Sequence, residues 1–149
     1  MVLIGWSLPR NTAKVSRIRR RAAAAVELAL LLPFLMSLVY GMAEFGRGLI
    51  VKENLSNAAE HACRTGALPG KSTAQAQAEV DIIMEDAGLT GYSTVILLNG
   101  NNVDIQNAGH NDQISVQVSV PVSQIYWTTT FFLSATAIES ETVVMLRQG

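Results

Sequence analysis

Residues 20–45, RRAAAAVELALLLPFLMSLVYGMAEF, run a basic cluster directly into an apolar segment, and this junction limits the chain more than any other feature. From Ala22 to Ala43 only Glu27, Pro33 and Ser37 interrupt the apolar run. At about 1.5 Å per residue its length just spans a bilayer core of roughly 30 Å, so it reads as a membrane helix. Glu27 is the anomaly. A carboxylate at the centre of such a helix costs about 2.5–3.5 kcal/mol, less near an edge, so it implies snorkelling to the headgroups or a charged partner. The residues alone leave both readings open.

Charge divides the chain at the same place. Residues 1–21 hold six basic side chains (Arg10, Lys14, Arg17, Arg19, Arg20, Arg21) and no acid, whereas the remainder holds five basic and twelve acidic ones, so the total of −1 hides two opposite segments. By the positive-inside rule the leader stays in the cytoplasm and the acidic part crosses. Three segments follow: a basic leader over 1–22, a membrane helix over 23–43, and an extracytoplasmic domain over 44–149, whose roughly 100 residues suit one core. No fold is read into MVLIGW at the start.

The helical pattern continues past the membrane. No proline occurs from Glu44 to Thr65, and Gly48, Leu55, Ala59, Ala62 and Gly66 recur at spacings of three, four and seven. This seam of small residues, with Ala58 off it, suits close packing on either a sheet or a neighbouring helix. The helix is expected from near Ala22 to near Thr65, with a kink at Pro33 and a stop at Gly66–Gly70.

A second helix is expected from an N-cap at Ser72 or Thr73 to Gly88, with Ala76, Val80, Ile83, Met84 and Ala87 as its apolar stripe. The period then changes to two. Residues 93–99 read as a strand, Asn99-Gly100 as a tight turn, and 102–106 as the returning arm of a hairpin. Ile114, Val116, Val118 and Val120 alternate with Ser115, Gln117 and Ser119 as in a half-buried antiparallel strand, which Pro121 stops or places at an edge. An aromatic connection, QIYWTTTFFL, is expected on the core or near the membrane surface, followed by a last strand over 135–146. The class is α+β: a long membrane helix continuing into a small domain with a short helix and three or four antiparallel strands.

Chemistry is sparse. There is no glycine-rich phosphate loop, no paired cysteine motif and no nucleophile elbow. Glu85–Asp86 and Glu139–Glu141 have no apolar pocket implied around them that would separate their pKa values, so no catalytic residue, cofactor or small-molecule substrate is expected. His61 and Cys63 are two apart, which on a helix turns them to different sides, and the other histidine, His110, lies in a turn-like stretch; no metal site is expected, and Cys63 has no intrachain disulfide partner. The basic cluster abuts the membrane helix, where it sets topology or touches anionic lipid; nucleic acid is not an expected partner.

The basic run, then AAAAVELALLLPFL, GMAEFGRGL, NLSNAAEHACR and, near the C-terminus, ATAIESET, resembles the TadE-like family of tight-adherence (Flp-type) pilus systems. The resemblance covers roughly 17–149 and is most specific over Arg20–Arg64. It implies a pilin-like assembly protein of the bacterial inner membrane, cut by a prepilin peptidase and partnered by other pilins or pilus-assembly proteins and by the lipid bilayer. In that family the cut precedes an alanine-rich stretch and leaves the glutamate fifth, which places Ala22 and Ala23 at the processing site. Ala22 stands where glycine is usual, and Leu28 where an aromatic residue is common. The resemblance also implies that the new amine at Ala23 meets a neighbour's Glu27 in the bilayer, where pairing offsets desolvation. Two other readings compete: an unprocessed single-pass anchor serving a secretion system, and a secreted domain cut after the small residues of Gly41-Met42-Ala43.

Overall fold

The structure, a computed structural model, describes residues 12–125 and 136–148, with side chains from residue 21 onward. The chain divides into two compact units, Met1–Tyr40 and Gly41–Gly149.

Helix α1 spans Thr12–Gly66 and carries Pro33 without ending there. It starts earlier than expected because TAKVSRIRRR has neither glycine nor proline. Alanine, lysine and arginine are good helix formers, and extending an existing helix avoids the cost of a new nucleus. In the first unit the side chains from Arg21 to Tyr40 are all exposed. Ser37 satisfies its hydroxyl within the helix, donating to the Phe34 carbonyl at 2.8 Å.

The second unit places the end of α1 and helix α2, Thr73–Asp86, on one face of a four-stranded antiparallel sheet. Ser72 caps α2 in a reciprocal box with Gln75. At the other end Gly88 has φ +65°, the Leu89 N–H donates to Met84 O at 2.9 Å, and the Gly88 N–H donates to Glu85 O at 3.0 Å, so the last carbonyls are satisfied by a left-handed cap. Ala76, Val80 and Met84 are buried, and Ile83 and Ala87 pack against the core.

Strand β1, Ser93–Leu98, pairs with β2, Gln113–Pro121, and not with the residues that follow the Asn99-Gly100 turn. The turn itself is present: Asn99 and Gly100 have φ of 51° and 79°, and Leu98 bridges Asn101. The expected hairpin ends there. Residues 105–107 form a 3-10 turn because Ile105 goes into the core while Asp104 caps the turn, accepting from the Gln106 N–H. That leaves β1 free to pair with the alternating strand beyond.

Ile114, Val116, Val118 and Val120 are completely buried, and β2 is central rather than at an edge. Pro121 closes it, and one helical turn, α3 (Val122–Ile125), follows. Of the aromatic connection, residues 126–133 lie outside the described residues. The expected last strand is two short ones, β3 (Ala137–Glu139) and β4 (Val143–Leu146), both antiparallel to β2. Between the pairs Ser119–Glu139 and Val116–Val143, β2 has two residues and the returning chain three, which is a bulge. Ser140 fills it, its N–H donating to Val118 O at 2.8 Å and its Oγ accepting from the Val118 N–H at 3.0 Å.

Candidate membrane anchor and packing face

Ala22, Ala23 and Glu27 lie on α1 with exposed side chains. The Ala22–Ala23 bond is inside the helix rather than at its start. Residues 23 and 27 are four apart, so they share one face with Cβ atoms about 6 Å apart. Glu27 stands between Val26 and Leu28, which are 60% and 59% exposed, and makes no ion pair among the described residues. Among those residues α1 is long and apolar enough to cross a membrane, and its most apolar stretch is not buried in protein. An acid surrounded by exposed leucines, valines and alanines suits a lipid-facing helix that keeps one charge for a partner or for the headgroups.

The other expected residues face the chain's own core. Leu55, Ala59 and Ala62 are completely buried in the cluster formed with the sheet and α2, while Gly48 is half-buried. Ala58, expected off the seam, is as buried as Ala59, because at this point the covered face is wide enough to take two adjacent positions. Small side chains let α1 approach closely. A Cβ on Gly66 would fall 2.9 Å from Ile105 Cδ1 and 3.5 Å from Ile114 Cγ2.

Cys63 sits on this face, its Sγ donating to Ile114 O at 3.4 Å and to Val143 O at 3.6 Å. Burial pushes the thiol up to about 11, so it stays protonated and unreactive at neutral pH. His61 is exposed. Among the described residues no group of three or more histidines, cysteines, aspartates or glutamates is arranged to hold a metal ion.

Two buried charged residues lie outside the expected sites. Glu44, 6% exposed, continues the row of half-buried Gly48 and buried Val51 and Leu55 back toward the apolar segment; its spacing of four from Gly48 is the available signal. Arg147, 4% exposed, donates through Nη1 to Gly66 O at 3.1 Å and Ile105 O at 2.8 Å. No local pattern announces it, since its acceptors are main-chain carbonyls distant in sequence.

The long apolar helix and its small-residue continuation form one uninterrupted stretch. Residues 22–64 match the model of the TadE-like protein family. The TadE-like segment includes the Ala22–Ala23 bond, Glu27 and the seam through Ala62, and it agrees with the family that the sequence resembles; the strands lie beyond the match. The match covers residues 22–64 alone, and they include the stretch that is long and apolar enough to cross a membrane. No curated protein and no solved structure matches the chain.

Proposed function

We propose that this protein is a pilin-like component in the assembly of a tight-adherence pilus. It is held in the bacterial inner membrane by residues 23–43 and works outside the cytoplasm through the domain formed by residues 44–149. The single observation that carries this reading is the TadE-like match over residues 22–64, which covers the apolar segment, its acid and the seam together. The six basic residues of the leader keep that end in the cytoplasm. A prepilin peptidase cuts between Ala22 and Ala23. The new α-amine then lies within about 6 Å of its own Glu27 along the helix, and in an assembled stack it pairs with the Glu27 of a neighbour. The exported domain acts by contact with other pilus-assembly proteins rather than by catalysis.

A second reading, an unprocessed anchor with an extracytoplasmic interaction domain in a secretion system, is favoured by two observations: Ala22 in place of glycine, and the location of the Ala22–Ala23 bond within α1. Deleting the gene in the native host distinguishes a pilus role from an unrelated anchor. The pilus role requires loss of surface pili and of adherence, both restored by the full chain. Normal pili in the deletion strain contradict it.

A further inference from the structure

The two edges of the sheet are unlike. On one side β3 and β4 are short, separated by the bulge at Ser140, and flanked by Glu139 and Glu141, all of which discourage strand addition. On the other side β1 reads STVILL, with no charge, proline or glycine.

The direction of its main-chain groups follows from the ladder. The Asn99 N–H donates to Gln113 O at 2.8 Å, and hydrogen-bonded pairs alternate along an antiparallel ladder, so the bonded pairs within β1 and β2 are Leu97–Ser115, Val95–Gln117 and Ser93–Ser119. The N–H and C=O groups of Thr94 and Ile96 therefore point to the outer edge. Leu98, next in that series, points the same way: its N–H donates to Asn101 O and its carbonyl accepts from the Asn101 N–H, each at 2.9 Å. Among the described residues, no strand pairs with Thr94 or Ile96 on that side. Two donors and two acceptors in the strand repeat match the hydrogen-bonding pattern of an extended backbone.

Helix α2 gives this edge a charge. Gln77 Nε2 lies 3.2 Å from Thr94 Oγ1, and the Tyr92 hydroxyl, one residue before β1, donates to Asp81 Oδ1 at 2.7 Å. Glu85 is four residues after Asp81 on α2 and so shares its face, and burial, then Asp81, then Glu85 push the Tyr92 phenol up to about 12. Neither forms a salt bridge among the described residues. On the opposite face of the sheet Val95 is 47% exposed.

We propose that the outer edge of β1 receives an extended segment of a partner protein as a fifth strand, one that alternates apolar residues against Val95 with a lysine or arginine facing Asp81 and Glu85. A second copy of this chain does not meet that description through its own β1, which has no basic residue.

The test places a photo-reactive phenylalanine analogue at Val95 of the full chain in the native host and maps the adduct formed on irradiation. The expected adduct lies in an extended stretch of another protein, beside a lysine or arginine. Thr94→Pro removes an N–H that β2 does not use, a substitution tolerated at an edge, and lowers the yield roughly fivefold or more, as expected for loss of a main-chain hydrogen bond. Glu85→Lys, an exposed change, lowers it about threefold by like-charge repulsion and keeps the test available if Thr94→Pro does not fold. No adduct, an adduct with a second copy, an adduct in a helix, or a yield unchanged in every variant that folds overturns the proposal.

Discussion

Arg147 Nη1 donates to the Gly66 carbonyl across 3.1 Å, placing a buried guanidinium at the C-terminal end of α1. A cation there complements the helix dipole, and the same nitrogen reaches Ile105 O at 2.8 Å, so the residue just after the final strand joins the long helix to the 3-10 turn. The adjacent main chain continues the contact, with the Gln148 N–H donating to Ala67 O at 3.0 Å. Arg147→Met leaves two buried carbonyls without that donor. It is expected to lower stability by about 2–3 kcal/mol, measured as a shift of the urea midpoint of the full chain in micelles. Arg147→Lys is expected to recover part of this loss, because its ammonium keeps the charge but not the planar fork.

The buried face of α1 makes a prediction about size. Ala58→Leu and Ala59→Leu each force a larger side chain into a filled contact and are expected to cost about 1–3 kcal/mol, whereas Asn57→Leu, on the exposed side, should change little. Protein level and urea midpoint for the three variants decide this. Equal behaviour would mean that α1 does not pack on the sheet.

Asp104 links the start of α2 to the 3-10 turn. It accepts from the Thr73 N–H and Oγ1, both at 3.0 Å, and from the Gln106 N–H at 3.1 Å. These hydrogen bonds hold its carboxyl below the ordinary value, the Thr73 N–H contributing most. A group depressed on folding contributes stability that is fully present above its unfolded pKa, about 3.9, and is lost as pH falls through the folded value. Asp104→Asn should therefore flatten the stability curve below about pH 4 and lower its plateau above that pH. Urea unfolding across pH 2–7 tests the sign, and a variant more sensitive to acid than the wild type contradicts it.

Glu27→Gln separates pairing from snorkelling. The neutral amide inserts into the bilayer more easily but cannot balance an α-amine, so the protein should reach the membrane at its normal level while pili are reduced. Wild-type pilus numbers at normal protein level would remove the pairing.

Much of the fold could be read from periodicity, because the elements with long, one-sided patterns had little freedom. Ile114, Val116, Val118 and Val120 could form only one face of a strand, and the Ser72 and Gly88 caps bracket α2 locally. Pairing was less legible. Asn99-Gly100 is a real turn, but the residues after it supply only Ile105 to the core, and the partner of β1 was chosen by the longer apolar run of β2. The start of α1 lies earlier than the apolar pattern indicates, because residues 12–21 of the leader hold neither glycine nor proline. Of the candidate site, the anchor and its acid were visible as an interruption of composition. Arg147 was not, since its partners are carbonyls brought together only by folding.

The N-terminus of the mature protein, determined by intact mass or N-terminal sequencing from membranes of the native host, tests the account most directly. A pilin-like protein cut by a prepilin peptidase begins at Ala23, keeps the apolar helix and gains an amine one turn from Glu27. A chain that begins at Met1 in cells with an active prepilin peptidase contradicts processing and leaves a plain anchor. A soluble chain that begins at Glu44 has lost the membrane helix and contradicts the pilus reading altogether.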